Sequence, residues 1–283
     1  MRPLIRYHGG KWKLAPWIIS MMPKHRVYVE PFGGAASVLL RKPRCYAEIY
    51  NDLDDEIVSL FRVCREDGEN LKRVLSLTPF SRTDYLEAWL PADNALEQAR
   101  RTVIRAYMGF GSAAATKGRS VNQKGRRGLA QTGFRSNSNR LGTTPAQDWA
   151  NFPKALDAII ERLQGVVIEC RDASIVMGTH DTEDCLHFVD PPYVSETRDI
   201  GGDYRHEMTD VQHVELAQFL STLKGMVMLC GYPSPLYERL YEGWKFKDKA
   251  AFADGARERT ERVWFNDAAY RGIAQQTMSF EVG

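Results

Sequence analysis

The sequence lacks the long apolar runs that mark membrane-spanning and exported proteins. No stretch of its 283 residues approaches 18 uninterrupted apolar residues, and the N-terminal MRPLIRYHGGKWK has no apolar run of the signal-peptide kind. Hydrophobic residues make up 43% of the chain and aromatic residues 11%, which suffices for a large core. These features predict a folded protein without a membrane span.

Cysteine is scarce and irregularly placed. There are five cysteines, an odd number, widely spaced and without a CxxC pair. This pattern fits reduced thiols in a cytoplasm better than a disulfide framework or a zinc site, and no metal is expected. Four of the five lie in or beside strand-like runs, where we expect buried structural thiols: Cys45, Cys170, Cys185 and Cys230.

A nucleotide-binding P-loop is also missing. The stretch YHGGKWK (7–13) contains Gly-Gly-Lys, but the pattern GxxxxGK[ST] requires a glycine at position 5 and a Ser or Thr at position 12. The sequence has Ile5 and Trp12 there, so an NTPase is disfavoured. The plain alternative for this stretch is a turn before a helix, with Lys11 at the surface.

Acidic residues are absent from one long segment. Between Gln98 and Gln147 there is no Asp or Glu but there are ten Lys and Arg; subtracting these ten charges from the total of +2 leaves −8 for the rest of the chain. A basic segment on an acidic protein suggests a surface for a polyanion such as nucleic acid, although a solvated basic face is the alternative. The ten residues are Arg100, Arg101, Arg105, Lys117, Arg119, Lys124, Arg126, Arg127, Arg135 and Arg140.

Six short apolar runs predict strands: VYVEPF (27–32), CYAEIY (45–50), VVIEC (166–170), CLHFV (185–189), MVMLC (226–230) and ERVWF (261–265). They are mostly apolar rather than alternating, which is typical of strands buried on both faces. Helical segments lie between them, including PKALDAIIERL and TDVQHVELAQFLSTLKG, the latter with capping-box spacing at Thr209 and Gln212. The alternation predicts an α/β fold with a doubly wound, mostly parallel sheet.

Residues 61–149 interrupt this alternation. The segment begins with helical texture and then becomes rich in Gly, Ser, Asn and basic residues. We interpret it as a second, mainly helical domain inserted between the second and third strands. The predicted organisation is therefore one domain made of residues 1–60 and 150–283, and an inserted domain of residues 61–149.

The stretch EPFGGAASVLL (30–40) is read as a strand, a glycine turn and the start of a helix. Glycine lets a ligand approach the backbone, and a helix N-terminus offers N–H groups to a carboxylate or phosphate, although such a turn is often only a tight turn. Asp52 follows Gly34 by 18 residues, at the end of the next strand, where a carboxylate can bind the hydroxyl groups of a ribose. Together the two features predict a nucleoside-cofactor site.

The sequence DPPY (190–193) ends a strand with an acid and two prolines. The prolines remove two backbone donors, which leaves the carbonyls of Asp190 and Pro191 to accept hydrogen bonds from a ligand. The Asp190 carboxylate is a further acceptor, and Tyr193 supplies a flat face. This set suits an aromatic amino group, whose lone pair is a better nucleophile when acceptors hold its N–H groups. The alternative is a simple turn that closes a strand.

These features fall at matching places in the predicted sheet. Ligands of open α/β sheets bind beyond the carboxyl ends of the strands. Those ends carry Gly33 and Gly34, Asp52, Asp172 and Asp190, so we expect these residues to converge on one rim.

Taken in order, these stretches resemble the N6-adenine DNA methyltransferases of the Dam type (D12 class), including phage and prophage members. The matching segments are YHGGKWKLAPWI, VEPFGGAASVLL, YNDLDDEIVSLFR, CRDASIV, FVDPPY, YRHEMT and ERTERVWFN. The resemblance implies a Rossmann-like methyltransferase fold, a target-recognition domain in the insertion, S-adenosylmethionine as methyl donor, and double-stranded DNA as partner. It also implies a base flipped out of the duplex and a bacterial or phage-infected cytoplasm.

The resemblance further implies roles for individual residues. Asp190 and Pro191 would bind the target N6 amine, and Tyr193 would stack on the flipped base. The cofactor contacts would be Tyr7, Lys11, Phe32, Gly33, Gly34, Asp52, Asp172 and Asp190. The inserted domain would contact DNA through Arg119, Lys124, Arg126, Arg127 and Arg135.

The insertion departs from the family pattern. Members that read GATC usually carry a segment resembling RxNxxGxxNxPFG, and the corresponding GFGSAAATKGRSVNQKGRRGLAQTGFRSNSNR lacks the Asn-Pro-Phe-Gly core. We therefore expect a different or relaxed recognition sequence. Two alternatives stay open beside DNA adenine methylation. One is methylation of RNA adenine or cytosine N4, which Asp190 disfavours because cytosine enzymes more often have Ser there. The other is an inactive DNA-binding relative, against which the intact DPPY argues.

Overall fold

The protein is described by a computed structural model of residues 1–111, 120–121, 127–128, 133–136, 142–194, 196, 205–252 and 258–281. Its contacts divide the chain into two compact units. The sheet unit holds Lys11–Leu53, Gly165–Gly201 and His206–Gly283, and the helical unit holds Met1–Gly10, Asp54–Gln164 and Gly202–Arg205. The helical unit is wider than the predicted insertion of residues 61–149, and the recognition function assigned to that insertion stays a prediction.

A seven-stranded sheet forms the sheet unit. Its strands are β1 (Val27–Glu30), β2 (Ala47–Asn51), β5 (Val166–Glu169), β6 (Cys185–Val189), β7 (Met226–Gly231), β8 (Lys245–Phe252) and β9 (Glu258–Phe265). Their order is β5-β2-β1-β6-β7-β9-β8. The first five strands in this order are parallel to one another, and β9 runs antiparallel to both of its neighbours, β7 and β8. The expected mostly parallel α/β sheet is confirmed.

All six predicted strands are present in this sheet, and one of its seven strands was not predicted. The additional strand, β8, lies at the edge of the sheet and pairs only with β9. Its side chains from Lys245 to Ala250 are exposed, and three of the six are lysines. Lysines on an edge strand oppose pairing with another chain, but they also remove the apolar signal by which the other strands were recognised.

The helices are α1 (Ala15–Ser20), α2 (Asp55–Glu66), α3 (Gly68–Leu77), α4 (Arg82–Glu87), α5 (Ala95–Met108), α6 (Pro145–Asn151), α7 (Leu156–Leu163), α8 (Ala173–Thr179), α9 (Asp210–Leu220), α10 (Pro235–Leu240) and α11 (Asp267–Glu281). The expected capping box is present at α9, where Thr209 and Gln212 satisfy each other's backbone N–H groups. A short ladder of β3 (Ser120–Val121) and β4 (Arg127–Gly128) belongs to the helical unit.

The core of the sheet unit lies between β6 and β7 and the helices packed on them. Every residue of these two strands is buried, as the unbroken apolar runs predicted. Helices α8 and α9 contribute Val176, Met177, Leu216 and Leu220 to this core. A rigid, fully buried central strand therefore leads directly into the DPPY turn.

The glycine turn after β1 is not followed by a helix, and that expectation was wrong. Residues 31–42 form turns, with positive φ angles of 46° at Gly34 and 51° at Ala36. A Cβ on Gly33 would lie 2.1 Å from the ring of Tyr50, whose hydroxyl donates to the carbonyl of Gly34 at 2.8 Å. Glycine is required at position 33 because the next strand packs against its backbone.

One buried amide ties together the loops that follow three strands. The side-chain nitrogen of Asn51 donates to the carbonyl of Pro31 at 2.9 Å and to that of Arg171 at 3.0 Å, and its oxygen accepts from the Arg171 N–H at 2.9 Å. The Asn51 carbonyl accepts from the Gly33 N–H at 2.7 Å. Since Asn51 is completely buried, these bonds fix the loops after β1, β2 and β5 relative to one another.

The cysteines are free thiols, but they are not all buried. Cys64, Cys185 and Cys230 are buried, Cys45 is half-buried, and Cys170 is exposed. The expectation of a buried thiol at Cys170 was wrong, because the residue follows β5, which lies at the edge of the sheet. Among the described helices, none has both the length and the apolar composition that crossing a bilayer requires.

Candidate active site

The DPPY turn begins where β6 ends, and its acid is held by a lysine. The Nζ of Lys11 lies 2.9 Å from Oδ1 of Asp190, and the Lys11 side chain is only 6% exposed. Lys11 is thus a buried ion-pair partner of the expected catalytic acid, and the alternative of a surface lysine was wrong.

Tyr193 turns its hydroxyl inward. The hydroxyl donates to the carboxylate of Glu261 on β9 and lies 3.3 Å from Oδ1 of Asp190. The Nζ of Lys11 sits over the ring, 4.6 Å from its centroid, and the ring of Tyr232 meets it edge-on at 4.6 Å between centroids. With 7% of its surface exposed, the ring is fixed on several sides, and its predicted stacking on a base stays a prediction.

Glu261 is the member of this cluster that the sequence did not reveal. It is 3% exposed, and its Oε1 lies 3.5 Å from Nζ of Lys11. It stands in the stretch ERTERVWFN, where alternating acids and bases look like an exposed strand. Its place at the start of the apolar run of β9 was the only signal that it points into the molecule.

The electrostatics of the cluster follow from burial and from one shared ammonium group. Burial raises the pKa of the Asp190 carboxyl group, and Lys11 and Tyr193 lower it part of the way back. Burial also raises the pKa of Glu261, which Lys11 lowers and Asp190 raises. Burial holds the pKa of the Cys230 thiol well above its usual value, so this neighbour is neutral near pH 7.

Asp190, Cys230 and Glu261 bring ligand atoms within 4.8 Å of one another, a donor set that could hold a metal ion. In this protein the ammonium of Lys11 contacts both carboxylates and supplies the positive charge. The prediction that no metal takes part stays a prediction.

Six of the eight predicted cofactor residues follow the carboxyl ends of parallel strands: Phe32, Gly33, Gly34, Asp52, Asp172 and Asp190. Asp52 accepts the N–H of Gly34 at 2.7 Å, which joins the glycine turn to the acid after β2. Phe32 is partly buried and packs against the core of the sheet unit. Asp172 is exposed, and its carboxylate caps α8 by accepting the N–H of Ser174 at 2.9 Å.

Tyr7 belongs to the helical unit, where its carbonyl accepts the N–H of Gly10 at 3.2 Å in a turn. Its assignment to the cofactor site stays a prediction.

A comparison with protein families matches residues 7–254 to MethyltransfD12, the D12 class N6 adenine-specific DNA methyltransferases. The chain belongs to this family. The match confirms the family resemblance and the expected activity, methylation of adenine in DNA.

Two relatives agree with the assignment of this methyltransferase. The type II methyltransferase M1.LlaDCHI of Lactococcus lactis subsp. cremoris is 27% identical over 283 residues, which cover 91% of this chain and 90% of the relative. A DNA adenine methylase of Salmonella typhi is 23% identical over 229 residues, which cover 78% of this chain and 76% of the relative.

Three of the ten basic residues between Gln98 and Gln147 are not available to bind a polyanion. Arg100 and Arg101 contact the carboxylate of Glu97 at 2.7 and 2.6 Å and lower its pKa to about 2. Arg105 is buried and paired with Glu56. The sequence could not show these pairs, because both acids lie before the acid-free segment.

The residues predicted to contact DNA are only partly described. Arg119, Lys124 and Arg126 lie outside the described residues, and Arg127 is described as part of the backbone of β4. Arg135 is half-buried and donates from Nη1 to the carbonyl of Tyr107 at 3.1 Å. Their contact with DNA stays a prediction for this methyltransferase.

A cleft of about 460 Å³ opens beside the cluster in the sheet unit. Tyr232, whose ring touches Tyr193, forms part of its wall together with Arg259 and Thr260 from β9. The Arg259 guanidinium lies 5.9 Å from the centroid of the Tyr232 ring. The methyltransferase therefore has a polar cleft next to the tyrosine of its DPPY turn.

Proposed function

We propose that the protein transfers a methyl group from S-adenosylmethionine to N6 of an adenine flipped out of duplex DNA, with the DPPY turn as the amine receptor. The observation that carries the proposal is the ion pair between Lys11 and Asp190 at the end of β6. A buried ammonium 2.9 Å from the carboxylate favours its ionised form, in which it accepts rather than donates hydrogen bonds.

The rim residues suit the chemistry of the donor. Asp52 is a carboxylate fixed by the Gly34 N–H, as binding of ribose hydroxyl groups requires, and Phe32 offers an apolar surface beside it. We assign the donor to Lys11, Phe32, Gly33, Gly34, Asp52 and Asp190, with Asp172 near its adenine end and Tyr7 as a further contact. When bound, S-adenosylmethionine supplies an electrophilic methyl group on a sulfonium.

The amine is activated by acceptors rather than by a covalent enzyme intermediate. The Asp190 carboxylate and the Pro191 carbonyl accept the two N–H groups of the target amine, which turns the nitrogen lone pair toward the reacting carbon. Because these acceptors are fixed by proline and by the Lys11 ion pair, the transition state requires little reorganisation. Tyr193 limits the position of the base through its ring, whose orientation is set by Glu261.

An adenine inside a duplex cannot reach a turn at the rim of a sheet, so base flipping is part of the proposal. The basic residues Arg119, Lys124, Arg126, Arg127 and Arg135 would bind the phosphates and read the flanking bases. Since the insertion lacks the Asn-Pro-Phe-Gly core, we propose a recognition sequence other than GATC or a relaxed one. The reaction would take place in the cytoplasm, where DNA and the donor meet.

Tritiated S-adenosylmethionine and unmethylated duplex DNA, followed by digestion to nucleosides, test this proposal. Label in N6-methyldeoxyadenosine is expected, and mapping the modified adenines gives the recognition sequence. Label only in methylcytosine or only in RNA would contradict the target, and DNA binding without label would indicate an inactive relative. Modification confined to GATC would contradict the proposed specificity.

Asp190→Ala should abolish methyl transfer while DNA binding stays within a few-fold of the wild type, because the acceptor is lost and the insertion is untouched. Glu238→Gln is a matched control, since Glu238 is an acid of the same unit that pairs with Arg262 outside the cluster. Wild-type rates in Asp190→Ala would contradict the mechanism, and equal losses in both variants would indicate a general effect on folding.

A further inference from the structure

Among the described residues, the buried carboxylate of Glu261 has partners only within the DPPY cluster of Lys11, Asp190, Tyr193 and Glu261. Its contacts among the described residues are the hydroxyl of Tyr193 and the ammonium of Lys11. An ionised carboxylate is costly to bury unless hydrogen bonds and a counter-charge compensate it, and here the compensation comes entirely from two residues that also contact Asp190. A residue that served only the stability of β9 would not need this arrangement.

The geometry makes Lys11 a shared ammonium between two acids. Its Nζ lies 2.9 Å from Asp190 and 3.5 Å from Glu261, and the side chains of these two acids are 15% and 4% exposed. Each carboxylate opposes the ionisation of the other, whereas the ammonium favours both. The charge on Glu261 therefore affects how readily Asp190 becomes an acceptor.

Tyr193 is the second link. Its hydroxyl is held by Glu261, and its ring is thereby fixed against Tyr232 at an interplanar angle of 71°. Displacing the hydroxyl would break a buried hydrogen bond and remove one of the two partners of the Glu261 carboxylate.

We propose that Glu261 is a positioning residue of the methyl transfer, which orients Tyr193 through its hydroxyl and tunes the ionisation of Asp190 through the shared Lys11. The inference deepens the proposed function and rests on it for the consequence in catalysis. The coupling of Glu261 to Tyr193 and Lys11 does not depend on the proposed function, because it follows from the contacts alone.

Several other groups interact electrostatically with Asp190 and therefore also affect its ionisation. They are Glu30 at the end of β1, Cys230 and Tyr232 at the end of β7, and Tyr237 on α10. The thiol and the phenols stay neutral near pH 7 because their pKa values are raised by burial. Glu30 is the one that can change charge near neutrality, so the pH measurements need it as a control.

The test compares Glu261→Gln, Glu261→Ala and Lys11→Met. Gln keeps an acceptor for the Tyr193 hydroxyl but removes the charge, so the plateau rate of single-turnover transfer should stay within a few-fold of the wild type. The acidic limb of the pH–rate profile of Glu261→Gln should move to lower pH by about one unit, because Lys11 then pairs with Asp190 alone. Lys11→Met should move the acidic limb to higher pH, and Glu261→Ala should lower the plateau rate by about ten- to a hundred-fold, since Tyr193 loses its acceptor.

A carbon-13 NMR titration of the Asp190 carboxyl carbon, assigned with Asp190→Asn, gives the same answer without any catalysis. The midpoint should fall in Glu261→Gln, rise in Lys11→Met, and stay unchanged in the control Glu238→Gln. Shifts of the same sign in both variants, or no shift, would overturn the proposal. So would equal transfer rates in Glu261→Ala and Glu261→Gln.

The two proposals fail separately. A wild type that transfers no methyl group to adenine would contradict the proposed function, and the titration would still decide whether Glu261 tunes Asp190. Glu30→Gln, titrated in parallel, separates the contribution of the other carboxyl group that faces Asp190.

Discussion

At the scale of single residues, the buried acids of the sheet unit behave unlike surface acids. Glu30 at the end of β1 is 2% exposed, and its Oε2 accepts the Tyr28 hydroxyl at 2.7 Å and the Leu39 N–H at 2.9 Å. Burial raises its pKa to about 8, against 4.5 for an ordinary glutamate, even though both hydrogen bonds favour the ionised form. Desolvation outweighs two hydrogen bonds here.

This raised pKa makes the stability of the protein depend on pH. Between pH 4.5 and about 8 the folded protein holds a proton that the unfolded chain has released, so the free energy of unfolding falls as pH rises through this window. Glu30→Gln keeps an oxygen acceptor without a titrating group. We expect the free energy of unfolding of Glu30→Gln, relative to that of the wild type, to grow from pH 5 to pH 9, by on the order of a few kcal/mol at most.

Chemical unfolding of both proteins across this pH range measures the effect. The wild-type curve should slope downward and the Glu30→Gln curve should be flatter. Parallel curves would mean that Glu30 is already ionised at low pH, and that burial does not raise its pKa.

Residue roles were predictable only in part. The acid and prolines of the DPPY turn stand out because their order is unusual at the end of an apolar strand. Lys11 and Glu261 do not, because a lysine and a glutamate are ordinarily solvated, and nothing local tells a buried pair from an exposed one. The contact between the two joins residues more than two hundred positions apart, which a pattern within one segment cannot register.

At the scale of elements, the rim of the sheet is stabilised by polar bonds as well as by apolar packing. Asn51→Ala would remove three hydrogen bonds and leave the carbonyls of Pro31 and Arg171 and the N–H of Arg171 without partners. We expect a loss of about 2–4 kcal/mol in the free energy of unfolding, because unsatisfied buried polar groups keep their full desolvation penalty. Weaker donor binding should accompany it.

Urea unfolding and calorimetric titration with S-adenosylmethionine test this expectation. Asn70→Ala is the matched control, since Asn70 is exposed and bonds only Asp67, at 2.8 Å, among the described residues. A loss in Asn51→Ala no larger than in the control would mean that the three loops do not depend on this amide.

Elements could be predicted where one physical signal dominated. Buried parallel strands are apolar, so β1, β2, β6 and β7 were found from composition alone. A similar apolar run revealed β5, although this edge strand is only partly buried, with Val167 45% exposed. The missing helix after Gly34 was not foreseeable, since its absence goes with positive φ angles at Gly34 and Ala36 and with the packing of Tyr50 from the next strand. Tertiary contact decided the local structure there.

At the scale of the whole molecule, the positive charge of the acid-free segment is less uniformly available than the sequence suggests. The described arginines at its start are paired with Glu97 and Glu56, whereas Arg126 and Arg127 follow in a stretch without any acid. Net charge over a segment thus overstates the charge available to a partner. Two pairs of adjacent arginines allow this to be tested, Arg100 and Arg101 beside Glu97 and Arg126 and Arg127 further along the sequence.

Replacing Arg126 and Arg127 by Gln should weaken DNA binding and reduce the slope of log affinity against log salt by about 2, because two phosphate contacts release fewer counterions. Replacing Arg100 and Arg101 by Gln removes the same charge but should leave the slope unchanged and lower the melting temperature, since these two residues bind Glu97. Fluorescence anisotropy with labelled duplex DNA at several salt concentrations compares the two variants. Equal slopes would mean that the phosphate contacts lie elsewhere.

The exposed thiol at the end of β5 has a practical consequence. Cys170 is the exposed cysteine among the five, whereas Cys64, Cys185 and Cys230 are buried, and the residue that follows it, Arg171, is bonded to Asn51. A maleimide dye under mild conditions should therefore attach first at this position. The native chain thus offers a fluorescent reporter beside its rim, suited to following ligand arrival in real time without an engineered cysteine.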